Sequence, residues 1–144
     1  MSRLAKALVL FVIVFHTMAF VGEAFLWMRP GIYEFALSRF QIAVPLALHE
    51  QALVLKPVFV NQGFYNLFLA LAGVVGLILI RRGKVEAGRA LVGYMCASAV
   101  GAGIVLAFTS IAYIGALLQA LPAAIALAMM FRPSANRAVA SAAA

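Results

Sequence analysis

Seven side chains able to hydrogen-bond or exchange protons interrupt otherwise apolar stretches of this sequence: His16, Glu23, Asn61, Gln62, Tyr65, Asn66 and Gln119. A histidine and a carboxyl group at opposite ends of a pocket can act as base and acid, while amides align a ligand between them. Isomerisation, hydrolysis or epoxide opening suits such a set. His16 and Glu23 are therefore the candidate catalytic residues. Trp27, Asn61, Gln62, Tyr65, Asn66 and Gln119 are the candidate ligand-binding residues. On one helix, His16 and Glu23 would lie about 20° from the same face but about 10 Å apart along the axis, too far for a simple pair. Asn61 and Tyr65 are four apart, as are Gln62 and Asn66, so these four form one polar stripe.

Metal chemistry has little support. Two histidines, His16 and His49, and one deep glutamate do not give a first shell with usual spacing. A single axial histidine can hold haem, but no further residue points that way. No metal and no cofactor are expected. His49 falls in a connecting loop and reads as solvated. Cys96 is the sole cysteine, which excludes an intramolecular disulfide and a cysteine cluster; it reads as packing.

The elements that must carry these residues are set by composition. Of 144 residues, 67% are hydrophobic and 10% charged, and aspartate is absent. A soluble domain carries about a quarter charged residues. A bilayer core about 30 Å thick needs about 20 apolar residues per helix. Four stretches qualify, at about 7–27, 57–80, 90–108 and 110–131. Alternating segments of a transmembrane barrel are not visible. The expectation is an all-α integral membrane four-helix bundle forming a single domain. Arg3 and Lys6 before the first apolar run resemble a signal peptide, but that run is too long for a signal core, so a retained helix is expected. The net charge of +7 does not read as nucleic-acid binding, because the basic residues flank apolar runs and no aromatic-basic motif accompanies them.

Lysines and arginines give the direction. Arg3, Lys6, Arg81, Arg82, Lys84, Arg89, Arg132 and Arg137 fall on one side; Arg29, Arg39 and Lys56 fall on the other. Both termini are thus expected in the cytoplasm. In the outer loop, 28–56, Ile32, Phe35, Ala36 and Phe40 recur at helical spacing, with Glu34 and Arg39 elsewhere on the wheel. That pattern predicts a short interfacial helix, a candidate lid. Pro45 interrupts the rest of this loop, and Pro57 suits a first helical turn. The tail, 133–144, reads as loose. Gly93, Ala97 and Gly101 form a small-residue ridge, expected to pack within the bundle or to serve as a homo-oligomer seam. Pro122 cannot donate to Leu118 and is expected to kink the fourth span, freeing a carbonyl near Gln119.

Counting inward from the outer helix ends places Glu23 and Asn61 roughly 6 Å deep, and His16, Asn66 and Gln119 roughly 13–17 Å deep. Two polar layers are predicted, with Gln62 joining the outer and Tyr65 the inner, forming a pocket open toward the outer leaflet. Ionisable groups at such depth are costly unless paired and tend to mark function. Amides alone also serve as interhelical glue.

At these residues the sequence resembles a known family. His16 followed by Glu23-Ala-Phe-Leu-Trp27 and Pro30 is similar to the opening of the bacterial integral membrane proteins grouped as domain-of-unknown-function family 1304. Asn61-Gln62-Gly63-Phe64-Tyr65-Asn66 resembles that family's most specific motif, and Gln119 with Pro122 resembles its last-helix pair. The resemblance covers about 7–130, departing in a longer outer loop between Ser38 and Asn61. It implies a four-helix integral membrane protein, of a bacterial inner membrane, and no particular activity. Three functions stay open: a pocket for a small lipophilic ligand, proton- or cation-coupled transport by an oligomer, and a structural or accessory role. The lipid bilayer is a partner in all three.

Overall fold

Inside hydrocarbon every backbone N–H and C=O must find a partner in the chain, so long apolar runs become helices. The computed structural model describes residues 1–40 and 44–132, and the regular structure among them is entirely helical. Helix α1 (Arg3–Phe20) continues into a π-helical turn (Val21–Phe25). Helix α2 (Pro30–Phe40) is short; α3 (Leu48–Arg81), α4 (Val85–Thr109) and α5 (Tyr113–Phe131) are long. Four segments are long and apolar enough to cross a membrane: Arg3–Phe25, Leu48–Arg81, Val85–Thr109 and Tyr113–Phe131. The chain is a multi-pass helical membrane protein.

The four spans pack in the ring α1–α3–α4–α5, with α5 closing against α1. Lipid tails are as apolar as leucine, so packing rather than water exclusion holds such a ring together. Its core is small and tight: Val9, Val12 and Ile13 of α1 meet Ala70 of α3, Val92, Met95, Cys96 and Ala99 of α4, and Ala123 and Ala126 of α5. With an even number of spans, the start of α1 and the end of α5 fall at one end of the bundle. Met1 shares a cavity wall with Lys6 and Arg81, and another with Arg89 and Arg132. Arg89 donates to the Met130 carbonyl, tying α4 to the end of α5. Arg137 and the tail expected to be loose, 133–144, lie outside the described residues.

The helix boundaries depart from the sequence expectation in instructive ways. Helix α3 starts at Leu48, not near Pro57. Glu50 folds back so that its carboxyl accepts from the Ala47 N–H at 3.1 Å, and Gln51 donates to the Leu46 carbonyl at 2.8 Å. These bonds start the helix two turns early, and Pro57 then lies inside it, costing only the bond to Leu53. At 34 residues the helix is about 51 Å long, well beyond a hydrocarbon core of about 30 Å. Its first turns therefore project past the apolar layer. Helix α4 begins at Val85 rather than about 90, because the turn before it is minimal. Gly83 takes φ 82°, and Lys84 bonds back to the Leu79 carbonyl at 2.9 Å, closing α3 with a Schellman motif. Helix α5 begins at Tyr113 rather than 110, because Ser110 is extended and its hydroxyl accepts from the Ala112 N–H.

The expected interfacial helix is α2, but its buried face is shifted. Tyr33 and Leu37 are buried, Ile32, Ala36 and Phe40 are half-buried, and Phe35 is 64% exposed beneath the Arg39 guanidinium. The small-residue ridge also corrects the expectation of packing within the bundle. Gly93 lies against the Phe131 ring, but Ala97 is exposed and Gly101 faces open space. Close helix approach occurs elsewhere on α4. A Cβ on Gly88 would meet the Gly76 carbonyl and sit 2.6 Å from Ile80 Cγ1. Gly88→Val is therefore expected to destabilise the bundle by about 1–3 kcal/mol through overpacking, whereas Gly101→Val should be neutral. Unfolding in sodium dodecyl sulfate titrations distinguishes them; equal midpoints would refute this packing.

Candidate functional site

The last turn of the first span departs from α-helical geometry where Glu23 sits. The Leu26 N–H reaches the Val21 carbonyl at 3.1 Å, the i to i+5 bond of a π turn. Such turns insert a residue into a helix, re-aim the side chains they carry, and recur at functional sites. Gly63 on α3 gives this turn room. A Cβ there would stand 3.0 Å from the Ala24 nitrogen and 3.2 Å from the Glu23 Cβ. Glycine thus lets the Glu23 turn lie flush against α3, one helical turn from Asn66.

Asn66 joins the two candidate catalytic residues. Its Oδ1 lies 2.7 Å from His16 Nδ1, and its Nδ2 donates to Glu23 Oε2 at 2.8 Å. An amide has one end that accepts and one that donates. With Oδ1 as acceptor, His16 Nδ1 must carry the hydrogen. The other ring nitrogen, Nε2, is buried and has no hydrogen-bond partner among the described residues. His16 is wholly buried, edge-on to Phe15 at 5.8 Å between centroids. The two residues, too far apart along their helix to pair directly, are linked through one side chain of a neighbouring helix. This also revises the two-layer picture, because Asn66 belongs to both layers.

Beside this network is a cavity of about 440 Å³ between the spans. Its polar lining is Glu23, Gln62, Asn66, Thr109 and Gln119. Its apolar lining includes Phe15, Phe40, Phe59, Val105 and Leu106. Pockets of about 300–1,000 Å³ with apolar walls and a few convergent polar groups are the usual size and character of small-molecule sites. Four of the eight candidate residues thus line one cavity, and His16 stands behind Asn66. The predicted polar stripe splits by face: Asn66 is buried and Gln62, although exposed, lines the cavity beside it, while Asn61 is exposed, Tyr65 is 57% exposed, and neither lines the cavity. Residues four apart share a face, but the two pairs differ by one residue, about 100° of rotation.

Trp27 does not line the cavity. It is buried, donates from Nε1 to the Ala52 carbonyl at 2.8 Å, and stacks on Phe59 at 3.6 Å between centroids. With Tyr33, Leu37 and Ala52 it forms a second small core that seats α2 on the projecting turns of α3. The Arg39 carbonyl accepts from the Ile111 N–H at 2.9 Å, fastening the other end of α2 to the α4–α5 connection. Phe40, the last residue of α2, is thereby held on the cavity wall, 6.2 Å from Phe59 between ring centroids. His49 is exposed and edge-on to Tyr33. The sequence reading missed Phe15, Phe40, Phe59 and Thr109. An aromatic residue in an apolar run carries no signal of its own, although Phe15 and Phe59 each neighbour a candidate residue on the helix.

A family model described as a protein of unknown function (DUF1304) matches residues 10–131. The chain belongs to that family. The matched stretch holds every residue of the network and cavity described above. No curated protein and no solved structure matches the chain. Within this family member, Asn66→Leu would strand the buried His16 Nδ1 and remove a donor from the half-buried Glu23, costing about 1–3 kcal/mol. Asn61→Leu, on the exposed face, should cost nothing measurable. Thermal unfolding in a mild detergent provides the comparison, and an equal effect of both variants would exclude the network as a stabilising link.

Proposed function

We propose that the protein binds a small, largely apolar molecule in the cavity beside Glu23, entering from within the membrane. The observation that carries this reading is the Glu23 carboxyl held at the cavity by Asn66, with Gln62 and Gln119 lining the same cavity. Glu23 engages the polar end of the ligand, the glutamines orient it, and the phenyl rings enclose its apolar body. His16 acts through Asn66 and is a positioning residue. Any isomerisation or hydrolysis at the ligand's polar end would exchange its proton with Glu23, the group in reach. In this reading the basic end faces the cytoplasm of a bacterial inner membrane and α2 caps the outer end.

The test is differential. Wild-type protein and Glu23→Gln are purified in the same detergent and extracted for mass spectrometry. The wild type is expected to retain at least one small molecule that the variant has lost about tenfold or more, the loss of one good charged contact. Both should unfold at similar temperatures, since glutamine still accepts from Asn66. Identical extracts would remove the pocket reading. Proton flux into liposomes that depends on Glu23 would favour transport instead, and loss of folding alone would favour interhelical glue.

A further inference from the structure

The cavity's charge is one-sided. Glu23 is the single ionisable residue that lines it; no lysine, arginine or histidine does so among the described residues. The nearest basic side chain on its rim element is directed elsewhere, since Arg39 lies over the Phe35 ring at 5.0 Å on the exposed face of α2. A carboxylate in the membrane interior without a cation is costly, and such groups normally pair. The protein supplies no cation at this wall. It supplies instead an amide donor on one carboxyl oxygen and three phenyl rings, Phe15, Phe40 and Phe59, around the same space. Phenyl faces attract cations and repel anions, and rings combined with a carboxylate are the usual means of recognising substituted ammonium groups.

Resting on the pocket reading above, we propose that the ligand of this site is a lipophilic organic cation, an amine or quaternary ammonium compound. Its charged nitrogen pairs with Glu23, the rings of Phe15, Phe40 and Phe59 surround its substituents, and the Gln62 and Gln119 carbonyls accept from any N–H it carries. An anion would meet the carboxylate, and a neutral hydrocarbon would leave it unpaired.

A charge-isosteric pair of probes tests this: benzyltrimethylammonium and its neutral carbon counterpart neopentylbenzene. Binding to the full chain in detergent is measured by equilibrium dialysis, corrected for empty micelles. The cation is expected to bind at least about tenfold tighter than the neutral probe. Glu23→Gln should lower the cation's affinity about tenfold and leave the neutral probe unchanged. Phe40→Leu, which keeps the packing and removes a ring, should weaken the cation about threefold; it serves if Glu23→Gln fails to fold. Equal binding of both probes to the wild type overturns the cation assignment and leaves the pocket standing. Binding of neither overturns both.

Discussion

Two bonds to one carboxamide organise the membrane-embedded half of this protein. Asn66 accepts at one end from His16 and donates at the other to Glu23, so each partner's role is set by the amide's own polarity. The bonds cross from α3 to the first span at two heights. They fix the rotation of one helix against the other in a way that apolar side chains, free to slide past lipid-like neighbours, would not. They also sort the two ionisable groups. Glu23 is presented to the cavity, while His16 is sealed in the core with a single free ring nitrogen.

That arrangement depends on backbone features more than on the polar side chains. The π turn brings Glu23 round to α3, and Gly63 removes the methyl group that would hold the turn away. At the other end of the bundle, Gly76 and Gly88 set the α3–α4 distance in the same manner. Between these close approaches the core is tight, with Gly73 against Ile13 and Met95, and the cavity lies toward the Gly63 end, lined by Phe59, Gln62 and Asn66 of α3 and Ala102, Val105 and Leu106 of α4. Small residues thus decide where the ring is closed and where it is open, and the polar residues line the open part.

The topology was legible because hydrocarbon leaves a chain few options: apolar length gave four spans, and charge asymmetry grouped the ends. The burial of His16 and Asn66 and the placement of Glu23, Gln62 and Gln119 on one cavity were legible for the same reason, since each would be costly against lipid. What could not be read was direction at the scale of one residue. Asn61 and Tyr65 are as polar as their neighbours, but only three-dimensional packing tells which face of α3 meets α1. Trp27 reads as a ligand candidate in the sequence, whereas its indole N–H is spent on the Ala52 carbonyl. Pro57 suggested a helix start because proline suits one; the bonds formed by Glu50 and Gln51 outweigh that preference.

The stacking of Trp27 on Phe59 gives the molecule an optical property. The chain has one tryptophan, so its indole emission comes from a single known place. That indole lies parallel to a ring that also forms the cavity wall, at 11° between planes. A change in the Phe59 ring reaches the indole directly, without passing through the backbone. The protein therefore carries an intrinsic fluorophore one side chain removed from its cavity, able to register a shift in that wall without any added label.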